Sequence, residues 1–206
     1  MAETLALIDY GAGNLHSVHS ALQAAGAGEI TVTRDAAIVR NADRIVLPGV
    51  GAFKHCMDNL AAIDGMIAAL HTRVADGGAP FLGICVGMQL LADKGAEHGD
   101  TPGLGWIGGT VQAIERDDPA IKIPHMGWNV VEPRDDAALV EAGEAYFLHG
   151  YHFEVADGAD VIAITDHGGP LVAAVGRNNI VGVQFHPEKS QSYGIATLQR
   201  FLEWKP

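Results

Sequence analysis

Cys85 stands between two glycines in the sequence GICVG, where an apolar run gives way to a helical pattern. This G-x-C-x-G spacing is typical of a nucleophile elbow, a strained strand-to-helix turn that lifts one side chain above a sheet. A thiol at the start of a helix is favoured as the thiolate by the helix dipole. A cysteine among apolar residues can also be a buried small hydrophobic side chain. The paired glycines favour the nucleophile.

His186 and Glu188 are candidate partners for this cysteine, because only Pro187 separates them in the sequence QFHPEKS. A residue before proline is restricted to extended conformations, and alternate residues of an extended chain point the same way. The carboxylate could then orient the imidazole, which would act as the base that a cysteine nucleophile needs. We therefore predict a catalytic triad of Cys85, His186 and Glu188. The alternative is a solvated turn at the end of a strand.

Acyl transfer also requires hydrogen-bond donors for the oxyanion. The N–H of Val86, directly after the nucleophile, is the standard first donor of such an elbow. The sequence PGVG at residues 48–51 is the candidate for the second, since its glycines permit backbone conformations closed to other residues. An ordinary Pro-Gly turn is the alternative.

The N-terminal half of the chain alternates apolar strands with helical patterns. This alternation predicts a parallel sheet with helices on both faces, whose ligands bind at the carboxyl ends of the strands. Asp9, Pro48 and Cys85 all fall at such ends, so their turns should lie along one edge. The predicted strands are residues 5–9, 30–33, 45–47 and 81–84, and the predicted helices are residues 14–25 and 52–74.

The C-terminal half contains closely spaced short strands, which are typical of antiparallel hairpins. We therefore predict one α/β domain over residues 1–206, with three layers, a mostly parallel central sheet flanked by helices, and antiparallel strands added in the second half. The later strands are predicted at residues 107–114, 121–131, 145–155, 161–165, 171–175 and 180–185, before a helix at residues 192–204.

Composition excludes several classes of protein. The formal net charge of −12 argues against nucleic acid as a partner, which normally requires a basic patch. No apolar run approaches the length that spans a membrane, and the first residues lack the basic region of a secretion signal. Two cysteines do not make a disulfide framework, so we expect a reducing, cytoplasmic setting. Cys56 is assigned to packing.

The sequences GICVGMQLL, HPE and PGVG resemble the class I, triad-type glutamine amidotransferases over nearly the whole chain. The further segments DYGAGNL, PGVGAF, PHMGWN and HPEKSQ are similar to the branch of glutaminase subunits found in imidazole glycerol phosphate synthases. This resemblance implies hydrolysis of glutamine to glutamate and ammonia, without a cofactor or metal ion. It also implies a heterodimer, in which a (β/α)₈-barrel cyclase subunit uses the ammonia to make imidazole glycerol phosphate and AICAR in histidine biosynthesis.

The resemblance also assigns roles to individual residues. In the family, the peptide between Gly49 and Val50 is thought to turn towards the oxyanion when the partner is occupied. Gly150 departs from the family, which usually has Ser or Thr there, so a hydroxyl contact is in doubt. The implied oxyanion donors are Val50 and Val86, and the implied glutamine contacts are Gly51, Gln89, Gly150 and Tyr151. The implied partner interface includes Asn14, His125, Trp128, Tyr146 and Lys189.

Other functions remain open at the level of the sequence. The same triad serves amidotransferase subunits for the synthesis of anthranilate, aminodeoxychorismate or pyridoxal phosphate. A stand-alone cysteine hydrolase or stress protein of the same fold would be active without a partner. A scaffold that only regulates a barrel partner would not need the cysteine.

Overall fold

The computed structural model describes residues 3–97, 99–134 and 139–206. Its N-terminal half alternates strands and helices, as the sequence predicts. The strands and helices are β1 (Thr4–Ile8), α1 (Leu15–Ala24), β2 (Glu29–Thr33), α2 (Ala36–Asn41), β3 (Arg44–Gly49), α3 (Phe53–Ala61), α4 (Met66–Leu70), which continues as a π-helix (His71–Asp76), β4 (Phe81–Cys85) and α5 (Val86–Gln89).

The C-terminal half is mainly β-structure and ends in a long helix. Its elements are β5 (Lys94–Gly95), β6 (Thr101–Pro102), β7 (Gly109–Ala113), β8 (His125–Pro133), β9 (Gly143–His149), β10 (Tyr151–Val155), β11 (Val161–Asp166), β12 (Pro170–Arg177), β13 (Ile180–Val183) and α6 (Gln191–Glu203). Short 3₁₀ turns lie at Gly158–Asp160 and Pro187–Lys189.

The described strands form a nine-stranded sheet in the order β2-β1-β3-β4-β13-β12-β11-β8-β9, and a four-stranded sheet in the order β10-β7-β5-β6. In the large sheet the first four neighbouring pairs are parallel. The remaining four pairs are antiparallel. The predicted α/β fold, with antiparallel strands added in the second half, is confirmed.

Helices cover both faces of the large sheet. The chain moves from β1 outward to β2, and then back across β1 to β3. Because crossovers between parallel strands are right-handed, these opposite steps place α1 and α2 on opposite faces. Helix α1 packs with α6, and α2 packs with α4. The sheet is therefore the middle of three layers, and its apolar strands β1, β3 and β4 are almost completely buried.

Four sequence predictions about elements were wrong in detail. Strand β13 forms an antiparallel hairpin with β12, as predicted, but its other edge pairs parallel with β4, which was not predicted. Residues 145–155 divide at Gly150 into two strands of different sheets. Residues 52–74 divide near Gly65, whose φ of 70° interrupts the helix. Helix α2 was missed, although Asp35 caps it by accepting a hydrogen bond from the N–H of Ala37.

None of the helices in the described ranges is long and apolar enough to cross a bilayer.

Candidate active site

Cys85 lies at the junction of β4 and α5 in a strained backbone conformation, with φ 55° and ψ −111°. The two flanking glycines allow the close approach that this turn needs. A β-carbon at Gly83 would lie 2.5 Å from the carbonyl oxygen of Gly87, and one at Gly87 would collide with the carbonyl oxygen of Leu47. Helix α5 therefore crosses against β3 and β4 only because both positions are glycine, which is the geometry of a nucleophile elbow.

The segment of residues 48–51 lies beside this elbow, because Gly49 is opposite Cys85 in the parallel pairing of β3 with β4. Two buried side chains hold its carbonyl groups. The Tyr10 hydroxyl donates to the Pro48 carbonyl at 2.7 Å, and the Cys56 thiol donates to the Val50 carbonyl at 3.4 Å. The segment is thus fixed from the core side, next to the sulfur of Cys85.

His186 follows β13, the strand that lies next to β4 in the sheet. Its backbone N–H donates to the Tyr146 carbonyl at 2.9 Å, and its carbonyl accepts from the Ser190 hydroxyl at 2.7 Å. The His186 Nδ1 lies 2.9 Å from Glu188 Oε1, and both side chains are 2% exposed. These contacts fix the imidazole on the side of the sheet where the cysteine lies.

The predicted reason for the pairing of His186 with Glu188 was only half right. His186 is extended, with φ −102° and ψ 98°, but Pro187–Lys189 form a 3₁₀ turn. The carboxylate therefore reaches the imidazole because the chain turns back after Pro187, and not because an extended strand continues through Glu188.

The charge of His186 is set by its neighbours. Burial by itself lowers the pKa of His186, but hydrogen bonds to Cys85 and Glu188, together with their negative charges, outweigh burial and raise that pKa to about 10. At neutral pH the imidazole therefore carries a proton, which places a positive charge beside the sulfur of Cys85.

A cavity of about 140 Å³ opens onto Cys85 and His186. The residues that the resemblance places at the oxyanion and at the glutamine all line this cavity, namely Val50, Gly51, Val86, Gln89, Gly150 and Tyr151. The cavity can therefore present one carboxamide-sized ligand to the sulfur and to the backbone of the elbow together.

The comparisons with known proteins agree with this geometry. The family model described as Glutamine amidotransferase class-I matches residues 6–203. A Zymomonas mobilis protein named imidazole glycerol phosphate synthase subunit HisH is 57% identical, over 100% of this chain and 98% of the relative. A Rhodospirillum rubrum protein of the same name is 55% identical, over 98% of this chain and 99% of the relative.

This chain is a class I glutamine amidotransferase. Within that family it groups with the HisH relatives, and the resemblance inferred from the motifs is confirmed. Solved structures share the fold at low identity. A crystal structure of a glutamine amidotransferase has a TM-score of 0.75 at 18% identity, covering 96% of this chain and 97% of its own. The structure of PurLQS from Thermotoga maritima has a TM-score of 0.73 at 20% identity, covering 98% and 99%.

Gln89 of this amidotransferase is buried at the floor of the cavity, and its hydrogen bonds limit what it can offer a ligand. Its Nε2 donates to the Tyr151 carbonyl at 3.1 Å and to Gln184 Oε1 at 3.0 Å. Both amide hydrogens are therefore in use. Only the Oε1 atom of Gln89 is left for a ligand, and it can only accept a hydrogen bond.

Three of the predicted interface residues lie together on the outer face of the β8–β9 pair. Trp128 is 48% exposed and lies opposite Tyr146 in the strand register. Lys189 places its ammonium over the Tyr146 ring, 5.7 Å from the centroid. Asn14 caps α1 at the N-terminal end, accepting from the N–H of Ser17. Its neighbour Gly13 approaches Pro48, so Asn14 lies near the cavity segment.

His125, the remaining predicted interface residue, points inward and is 3% exposed. Its ring stacks on Phe147 and on His167. It therefore lies beneath the β8–β9 face and cannot itself form a large contact with another protein.

Sequence reasoning missed several cavity residues. Glu97, Leu148 and His149 also line the cavity. Glu97 accepts a hydrogen bond from the N–H of Phe53 at 2.8 Å, which caps α3. Glu97 and His149 belong to no catalytic motif that the sequence displays. In residues 146–152, the family resemblance points to Gly150 and Tyr151 and not to Leu148 or His149.

Proposed function

We propose that this amidotransferase is the glutaminase subunit of an imidazole glycerol phosphate synthase, a cytoplasmic enzyme of histidine biosynthesis. It hydrolyses glutamine to glutamate and ammonia, and a (β/α)₈-barrel cyclase subunit uses the ammonia to make imidazole glycerol phosphate and AICAR. One observation carries the proposal. In a chain 57% identical to a HisH protein, Cys85 and His186 line one cavity, and Glu188 Oε1 lies 2.9 Å from His186 Nδ1.

The proposed reaction begins with attack of the Cys85 thiolate on the carboxamide carbon of glutamine. A C–S bond forms, and the carboxamide oxygen takes the negative charge. His186 gives its proton to the amide nitrogen, which leaves as ammonia and a glutamyl thioester remains. Water then attacks the thioester with His186 as the base, which releases glutamate and restores the thiolate and the imidazolium. Glu188 keeps the imidazole in the orientation and protonation state that both steps need.

The oxyanion would be held by backbone N–H groups. Val86 is the first residue of α5, so its N–H has no acceptor within the helix. The N–H of Val50 belongs to the segment that lies beside Cys85. The loss of one such donor lowers turnover on the order of a hundredfold or more.

Glutamine binding is supported by the polarity of the cavity floor. Because Gln89 presents only an acceptor there, it suits an N–H of the substrate, either the α-ammonium group or the carboxamide nitrogen. The backbone near Gly51, Gly150 and Tyr151 surrounds the same space. These groups would orient the carboxamide carbon towards the sulfur.

The outer face of the β8–β9 pair supports a protein partner. Met126 is 65% exposed and Val130 is 46% exposed, and they flank Trp128 on one face of the sheet. Leu148 lies opposite Met126 and lines the cavity as well, so this apolar face borders the active site. Exposed apolar residues in a contiguous patch mark interaction sites. A cyclase docked there would receive ammonia before it escapes to water.

Co-purification with the cyclase subunit, followed by turnover assays, tests the proposal. We expect the complex to use glutamine or an ammonium salt, and the Cys85→Ala complex to use only the ammonium salt. The ammonium assay is the internal control for folding of the cyclase. Transfer of ¹⁵N from glutamine into anthranilate by a different partner, or retained glutamine use by Cys85→Ala, would overturn it.

A further inference from the structure

Gln184 lies just before His186 and is completely buried, although no motif assigns it a role. Its backbone N–H donates to the Ala173 carbonyl at 2.8 Å, which fixes the residue beside β12. Its side-chain Nε2 lies 3.6 Å from the sulfur of Cys85. A buried carboxamide thus points an N–H at the atom that attacks the substrate in the proposed reaction.

The orientation of this carboxamide follows from its neighbours. The Tyr151 carbonyl can only accept, so the Gln89 atom 3.1 Å from it is the amide nitrogen. That nitrogen also lies 3.0 Å from the Gln184 side chain, which must accept through Oε1. The other end of Gln184, its Nε2, is therefore the end that faces Cys85. Gln89 and Gln184 thus form an amide chain, a line of hydrogen bonds that begins at the Tyr151 carbonyl and ends at the sulfur of Cys85.

The start of this amide chain is anchored by a second line of hydrogen bonds. His149 Nδ1 also lies 2.9 Å from the Tyr151 carbonyl, and therefore donates to it. Burial is the main cause that lowers the pKa of His149 to about 3 and that of His125 to about 4. Both rings are therefore neutral at pH 7. A neutral His149 then accepts at Nε2 from His125 Nδ1, 2.9 Å away. The Asn129 amide donates to the other nitrogen of His125 at 3.0 Å.

We propose that Gln184 is a further catalytic residue, whose Nε2–H donates a hydrogen bond to the Cys85 thiolate and holds it ready for attack. The thiolate then has two donors, the His186 imidazolium and the Gln184 amide. Gln89, the Tyr151 carbonyl and the two histidines are positioning groups, since they reach the sulfur only through Gln184. This inference rests on the proposed glutaminase reaction for its role in turnover. The contact with the sulfur can be tested without it.

Gln184→Glu is the sharpest variant, because it keeps the shape of the side chain and an acceptor for Gln89, but replaces the donor to sulfur by a carboxylate oxygen. Gln184→Met removes both hydrogen bonds at nearly the same length. Gln23→Met is the matched control, at an exposed position on α1. Each variant is made in the full chain, and co-purification with the cyclase reports that it is folded.

The first measurement is the rate of Cys85 alkylation by iodoacetamide between pH 6 and pH 9, followed on the Cys85 peptide by mass spectrometry. A hydrogen bond to a charged group is worth about tenfold or more in an equilibrium. We therefore expect alkylation at pH 7 to fall about tenfold in Gln184→Met, and further in Gln184→Glu, where a carboxylate faces the thiolate. Rates within twofold of Gln23→Met in both variants would overturn the inference.

The second measurement separates this inference from the proposed function. In the complex we expect kcat with glutamine to fall about ten- to a hundredfold in Gln184→Met, on the same grounds, with KM within about threefold and ammonium turnover unchanged. If the unsubstituted chain shows no glutamine turnover, the proposed function fails, and the alkylation rates still decide the role of Gln184. A loss confined to KM would show a binding role instead, and would overturn the inference.

Discussion

His186 and His149 line the same cavity, and both are buried, yet at neutral pH the first is charged and the second is neutral. The pKa of His186 is raised to about 10, and that of His149 is lowered to about 3. Burial lowers both pKa values, so burial is not what separates them. The difference lies in their partners, which are the Cys85 sulfur and the Glu188 carboxylate for His186, and the Tyr151 carbonyl for His149.

This comparison shows how one cavity can combine two kinds of chemistry. A carboxylate balances the cost of a buried imidazolium, whereas a carbonyl dipole orients an imidazole without paying that cost. The side with His186 therefore holds a proton to transfer. The side with His149 holds neutral groups whose hydrogen bonds have a fixed direction. We expect the charged side to transfer the proton, and the neutral side to fix the shape of the cavity and the direction of its hydrogen bonds, including the one from Gln184 to the sulfur.

Glu188→Gln tests this division most strongly, because it gives His186 a neutral partner like that of His149. Without the carboxylate, burial is no longer opposed by Glu188 and the pKa of His186 falls. The amide can also donate to Nδ1 and so hold the wrong tautomer. We expect kcat with glutamine to fall on the order of a thousandfold or more, measured in the complex, as when the carboxylate of a triad is replaced by an amide.

Ammonium-dependent turnover of the same complex is the control, since it does not require the glutaminase site. A loss of less than tenfold in the glutamine reaction would contradict the assignment of Glu188 and would leave the two histidines functionally alike.

The pH dependence of stability separates the same two residues. Because the folded pKa of His149, about 3, lies below the usual 6.5, the unfolded chain binds the extra proton between these values. His149 thus contributes stability above pH 6.5 that is lost as pH falls. His186 has the opposite sign, since its folded pKa is about 10. Its contribution is complete below pH 6.5 and is lost as pH rises towards 10.

We expect His149→Gln to reduce the drop in unfolding free energy between pH 7 and pH 5 by roughly 2 kcal/mol, from the linkage relation. Urea unfolding at the two pH values measures this drop. His16→Gln, at an exposed position on α1, is the control and should leave it unchanged. An unchanged drop in His149→Gln would mean that His149 has the same pKa in the folded and the unfolded chain, and would contradict this prediction.

The sequence identified His186 but not His149. The reason is how far along the chain the contacting residues lie from each histidine. Two local motifs reveal the triad. The elbow around Cys85 is one, and the pair of His186 with Glu188 is the other, and each lies within a few positions of the chain. His149 acquires its role from Tyr151 and from His125, which is 24 positions away. No local pattern marks that contact.

Gln184 is hidden from the sequence for the same reason, because its partners Cys85 and Gln89 are 99 and 95 positions away. The parallel pairing of β13 with β4 could not be predicted either. A short apolar strand fits a parallel or an antiparallel neighbour equally well, and its pairing with β4 depends on the whole sheet. Alternation of strands and helices in the first half needed no such information, so the fold class followed from it.

Gly150→Ser should have the smallest effect, and it tests whether the backbone at Gly150 acts on substrate binding alone. A β-carbon at Gly150 would meet only the Pro124 side chain, at 3.9 Å, so a serine fits without displacing its neighbours. Its hydroxyl would add one neutral hydrogen bond for the substrate, worth about 1 kcal/mol. We expect KM for glutamine to fall about threefold to fivefold while kcat stays within twofold, in steady-state assays of the complex.

Gly150→Ala, which adds the carbon without the hydroxyl, is the matched control. If kcat changed more than KM, Gly150 would act on the chemical step, and its part of the cavity would not be a binding surface alone.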